Sequence, residues 1–153
     1  MRGPGGVRRT VAFDNVADYG ANFAFVRHVL SMDTTFHDPA VMGRAIMAPP
    51  LWHAGYVAII AAEAGTAALF AIAAIAMWRT RRDAAAFQKA KRWAVAGAAL
   101  GFLLWFVGFM AVGGEWFAMW QSAIWNGQEG AFRFYITMLA VLIFVNQPDA
   151  DGA

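Results

Sequence analysis

Residues 93–114, WAVAGAALGFLLWFVGFMAVGG, run for 22 positions without a charged side chain. The hydrocarbon core of a bilayer takes roughly 20 residues of helix, so this run is expected to cross a membrane, as a span set at 93–113. Its flanks differ. Before it stand Arg79, Arg81, Arg82, Lys89, Lys91 and Arg92, half of the 12 basic residues in the chain, with Asp83 as their one acid. After it come Trp116, Phe117 and Trp120, aromatics of the kind that settle at headgroup level. Basic loops stay inside, which makes 79–92 a cytoplasmic loop and 114–130 a tryptophan-rich cap on the other side.

Two further spans are expected. Residues 51–78 carry Trp52 and Tyr56 at one end and Trp78 at the other. Seven residues there (Val57, Ile59, Ile60, Leu69, Phe70, Ile72 and Ile75) favour insertion by about 0.3 to 0.6 kcal/mol each. Glu63, near the midpoint, opposes it by about 2.5 to 3.5 kcal/mol. The two terms nearly cancel, so this helix calls for a neighbour or for a protonated Glu63. Residues 131–146 return to the inside and are short, so Arg133 must snorkel to the interface.

The remaining segments are polar or broken. Residues 1–13 form an irregular basic N-terminus with Arg2, Arg8 and Arg9 and no apolar core of a signal peptide. Residues 14–50 read as an extracytoplasmic amphipathic segment. Phe23, Val26, Val29 and Leu30 recur at helical spacing, with Asn22 and Arg27 elsewhere. Asp33 to Thr35 is a break. Asp38-Pro39 is a helix start, and Pro49-Pro50 is expected to stop a helix running from Pro39 to Met47. Residues 147–153 are an acidic tail. With three spans and an internal basic loop, residues 14–50 lie outside while Arg2, Arg8 and Arg9 favour an internal N-terminus. A further helix before Asp14, from an earlier start or from a partner, would reconcile the two.

Composition agrees with an all-α polytopic transmembrane bundle of one domain. Hydrophobic residues make up 60% of the 153, and the net charge of +2 comes from basic blocks that topology explains, so no nucleic-acid partner is implied. The absence of cysteine excludes disulfides, zinc–thiolate sites and iron–sulfur clusters.

The strings at 15–23, 26–35, 113–122 and 125–128 (NVADYGANF, VRHVLSMDTT, GGEWFAMWQS and WNGQ) resemble a family of small bacterial integral membrane proteins catalogued as domain of unknown function 2165. The likeness covers Phe13 to Pro148, and the run at 113–122 is specific. The resemblance implies a further apolar helix upstream of the first string, an element that residues 1–14 are not expected to form. It implies no activity.

Glu63 is the first candidate site residue, because ionisable groups within a span mark relays or binding sites by default. The alternative is a protonated carboxyl that holds neighbouring helices together. Trp116, Trp120 and Trp125, with Gln121, Asn126 and Gln128, could form a recognition surface or serve as interfacial anchors; Trp116 and Trp120, four apart, would share one helical face. His53, with His28 or His37, is the only route to a metal or b-type haem, and the spacings fit no compact motif. Otherwise no cofactor is expected. Gly97 and Gly101 make a GxxxG, with Gly108 one heptad further, expected to pack on Ala61, Gly65 and Ala68 or to dimerise. No nucleophile–base pair, phosphate loop or zinc-protease motif is present, so no enzyme is expected. Two functions are consistent with these residues. One is an accessory or structural subunit of a bacterial inner-membrane complex. The other is a transport or ligand-binding protein (for proton, quinone or lipid) with Glu63 beneath the tryptophan cap.

Overall fold

The computed structural model describes residues 19–148, and every described element is helical. Five α-helices follow in order: α1 (Tyr19–Ser31), α2 (Pro39–Met42), α3 (Pro49–Thr80), α4 (Ala84–Phe102) and α5 (Gln128–Val145). A π-helical segment, Leu103–Trp116, continues α4 without interruption, and a 3₁₀ turn, Met119–Gln121, follows it. Three helices are long and apolar enough to span a bilayer: α3, the continuous Ala84–Trp116 helix, and α5. The basic N-terminus at 1–13, the first five residues of the amphipathic segment (14–18) and residues 149–153 of the acidic tail lie outside the described residues.

Local chemistry sets the helix ends and corrects several expectations. Pro49 and Pro50 do not end a helix but occupy the first turn of α3. Both lack an N–H that the first turn would leave unpaired anyway. The Asp38 carboxylate does accept the Ala40 N–H at 2.9 Å, yet α2 stops at Met42 after one turn. Residues 79–92 are helical for the most part, leaving a turn of only Arg81 to Asp83. Asp83 accepts the Ala86 N–H at 3.0 Å and caps α4, so the chain re-enters a helix well before the hydrophobic run begins. α5 likewise starts at Gln128, and Arg133 forms an ion pair with Glu129 one turn back.

The spans meet through small residues. A Cβ on Gly97 would lie 3.2 Å from the Leu69 Cβ, and one on Gly65 would lie 3.2 Å from Leu100, so both sit where α3 crosses α4. Gly101 packs against Met138 of α5 and Thr66 of α3. Gly108 does not join them: the atoms nearest to a Cβ added there, at 3.8 and 4.0 Å, belong to Leu104 and Leu103 of its own turn. It lies in the π segment, where carbonyls bond to the fifth residue on (Phe117 N–H to Val112 O, 3.0 Å) and the helix turns less per residue. Heptad counting therefore loses phase there.

The best-buried apolar cluster is in the cap, not in the bundle. Val29 and Met32 from the end of α1 pack on Phe117, Ala118 and Met119, with Val41, Met42 and Ile46 closing over them. Met32 and Ala118 take left-handed backbone conformations (φ 55° and 50°), which cost about 1–2 kcal/mol for a residue with a Cβ. Each turns the chain sharply so that Met32 and Met119 become fully enclosed. The turn at Ala118 also separates Trp116 from Trp120, which therefore do not share a helical face. By contrast, only 17, 17 and 6% of the spanning windows of α3, Ala84–Trp116 and α5 are buried within the chain. Most of the apolar surface of the spans thus faces outward.

Candidate functional site

Glu63 sits on α3 three residues from Thr66, toward the cap, a displacement of about 4.5 Å along the axis. Thr66 meets Gly101 and Met138, and Met138 is mid-way along α5. The carboxylate is therefore close to the middle of the spans. It is 9% exposed and lines a cavity of about 230 Å³.

The walls of that cavity come from α1, α3, the π segment and α5. Asn22 is supplied by α1, Tyr56 by α3, Trp105 and Phe109 by the π segment, and Ala131 and Phe134 by α5. Tyr56 is 2% exposed, and its ring and that of Tyr19 meet edge to face at 4.8 Å. Trp105 is stacked on Phe134 at 4.3 Å, which ties the π segment to α5 beside the site. The result is a pocket with a carboxylate, an amide and a phenol on one side and aromatic rings on the other.

A second cavity, of about 190 Å³, adjoins it on the cap side. The two share Phe25, Val26, Ile59 and Phe109 as a common wall. The Phe25 and Phe109 rings stack in that wall at 6.0 Å. The second cavity is apolar, lined by Leu30, Leu104, Val112 and Met119 among others. Gly55 and Gly108 leave it the room that side chains would fill. Moving outward from mid-span, the order is carboxylate, aromatic wall, apolar chamber, cap core.

The tryptophans of the cap lie outside both chambers. Trp116 takes the Arg44 guanidinium over its ring at 4.7 Å, and Trp120 meets Phe36 edge-on at 5.9 Å. Trp125 stacks on His28 at 4.6 Å and touches Phe25 edge-on, one ring removed from the shared wall. The Gln121 carbonyl accepts the Phe36 N–H at 2.8 Å, Thr34 donates to Ser122 at 2.9 Å, and the Asn126 carbonyl accepts the Gln128 N–H at 3.0 Å. The contacts of Thr34, Phe36 and Arg44 fasten their segment over the cap, while the Asn126 side chain closes a local turn before α5. Glu63 is thus not directly beneath Trp116 and Trp120; the tryptophan at its side is Trp105, since the Met32–Met119 core separates the cap surface from the chambers.

The histidines have separate partners. His53 Nδ1 lies 2.7 Å from the Tyr19 hydroxyl, and its ring stacks on Phe23 at 4.2 Å. His28 Nδ1 lies 2.8 Å from Asp33, with the Arg27 guanidinium 3.0 Å from its other nitrogen. Among the described residues no group of three or more His, Asp or Glu side chains is placed to hold a metal ion.

Sequence reasoning singled out Glu63 but missed its companions. Asn22 reads as part of a polar helix face, whereas it lines the cavity. Trp105 carried a usable signal, because a tryptophan in mid-span is away from the interface where anchoring would place it.

A family model described as a predicted small integral membrane protein (DUF2165) matches residues 5–148. No curated protein and no solved structure matches the chain.

Proposed function

Because the chain belongs to that family of small integral membrane proteins, its buried carboxylate is a group held within lipid, and we propose that the paired cavities bind a small amphipathic molecule. The polar end, a hydrogen-bond donor or a cation, lies at Glu63 and Asn22, and the apolar end occupies the chamber beside Gly108. The role is binding or transfer without chemistry, in the plasma membrane of a bacterium with the Arg81–Asp83 turn inside.

One observation supports this reading: Glu63 lines, together with Asn22 and Tyr56, a cavity of about 230 Å³ close to mid-span. Together the chambers, about 190 and 230 Å³, fall within the range of small-molecule pockets, about 300–1,000 Å³.

Dodecylamine tests it. The amine should raise the thermal midpoint of the detergent-purified chain more than dodecanol or dodecanoic acid does. Glu63→Gln should weaken amine binding by roughly ten- to a hundredfold, the loss of a charge-assisted hydrogen bond, while the variant keeps its helical circular dichroism. Equal responses from wild type and variant would defeat the proposal.

A second reading, an accessory or interaction subunit of a larger membrane complex, is favoured by α5. Phe132, Ile136, Ile143 and Phe144 on it are all at least 46% exposed. It requires a larger partner at fixed stoichiometry in native gels; a lone monomer would count against it.

A further inference from the structure

At the end of the bundle opposite the cap, a third cavity of about 500 Å³ opens between α4 and the last turn of α5. We propose that it seats one anionic phospholipid of the surrounding bilayer, the phosphodiester at Arg92 and an acyl chain along α4. This site is separate from the Glu63 chambers and does not depend on how they are read.

The lining is graded in the direction a phospholipid requires. Gln88, Lys91, Arg92 and Asn146 form the lip. Below them Val95, Ala96, Ala99 and Val145 form an apolar floor. Arg92 and Ala99 are seven residues apart, so the change from charged to apolar occupies about 10 Å of helix. Ala96 and Ala99 are small, and they leave the groove in which a chain can lie.

Depth is fixed by Trp93. The Arg92 guanidinium lies over its ring at 5.0 Å, and a tryptophan at this position anchors at headgroup level. Arg92 is exposed, and its planar fork matches two phosphate oxygens. Lys91 does different work: its amine donates to the Gln147 carbonyl at 3.2 Å and holds the end of α5 against α4.

A helix C-terminus beside an anion would normally repel it. Here three of the last four carbonyls, those of Leu142, Ile143 and Phe144, are already engaged. The Asn146 amide donates to Leu142 O at 2.8 Å and the Gln147 amide to Ile143 O at 3.1 Å. Lys91 adds its charge at the same place. The wider field is also favourable, since among the described residues Arg79, Arg81, Arg82 and Lys89 share this end of the bundle with Asp83 as the one acid. Basic pockets between helices at such a face bind anionic headgroups.

The test is native mass spectrometry of the full chain in mild detergent with equimolar phosphatidylglycerol and phosphatidylcholine. Wild type should retain phosphatidylglycerol preferentially. Arg92→Gln should lose roughly tenfold of that preference, and Ala96→Leu, which fills the groove and keeps every charge, should lose it too. Arg82→Gln, in the turn outside the groove, should lose less than about twofold. Equal losses from Arg92→Gln and Arg82→Gln would mean diffuse attraction and overturn the proposal. So would displacement of the lipid by millimolar inorganic phosphate, which would make this a soluble-anion site. If Ala96→Leu does not fold, the two arginine variants decide alone.

Discussion

Two glycines on one helix carry opposite consequences. At Gly97 an added methyl would lie 3.2 Å from the Leu69 Cβ and 3.5 Å from the Phe70 ring. The Leu69 Cβ is fixed to its backbone and cannot swing away, so the helices would have to part. Gly97→Ala is expected to cost about 1–3 kcal/mol, the usual penalty for overpacking. At Gly108 the nearest atoms are 3.8 Å and 4.0 Å away, both from its own turn. Gly108→Ala has room and gains up to about 1 kcal/mol of helix propensity. Thermal melting of the two variants in the same detergent should separate them by several degrees. Equal losses would place Gly108 on the packed face after all.

The same scale shows what one residue type can disclose. Glu63 was legible because its cost within a span has to be justified by something. Asn22 was not, because an amide at the edge of an amphipathic pattern is ordinary, and only the tertiary fold turns it toward α3. Gly108 was misread for a different reason: a periodicity count assumes a constant helical twist.

That twist belongs to the element. Nothing in LLWFVGFMAVGGEW distinguishes a π-helix from an α-helix in composition, since both need the same apolar, uncharged run. The wider winding shows only in the hydrogen bonds, and in the approach of Gly113 and Gly114 to the carbonyls of Gly108 and Phe109 five residues back. It also opens the helix next to Phe109, where both chambers meet. Thirteen steps of α-helix span about 20 Å, and a π-helix of equal residue count is shorter. Nitroxides at Leu103 and Trp116, both 55% exposed, should therefore be closer than nitroxides at Ala58 and Ala71 on α3, which have the same separation in sequence. Equal distances would mean that the segment is α-helical.

Other elements were readable in kind but not in extent. Pro49-Pro50 is compatible with ending one helix or starting another, and the choice falls to the thirty residues that follow. Residues 84–92 look like a loop on charge alone. Yet Ala, Gln, Lys and Arg are strong helix formers, and Asp83 stands at the position of an N-cap. The three spans were the clearest part, because bilayer thickness sets a length that few other structures share.

For the molecule as a whole, hydrophobicity has two destinations. In the cap it closes a small core around Met32 and Met119, as in a water-soluble protein. In the spans most of it faces outward, so lipid or a neighbouring chain completes the structure. Charge sorts the ends: among the described residues the Arg81–Asp83 end has six lysines and arginines, and the cap end has three, Arg27, Arg44 and Arg133. The positive-inside rule predicts an external cap. The chain contains no cysteine, so a single introduced thiol reports without background. Ile124→Cys, at a cap position 77% exposed, should react with a membrane-impermeant maleimide on intact cells. Ala85→Cys, at the start of α4, should react only after the cells are permeabilised. The reverse pattern would invert the protein in the membrane. It would also set the groove at Arg92 in the outer leaflet and the cap in the cytoplasm, leaving the geometry of both sites unchanged.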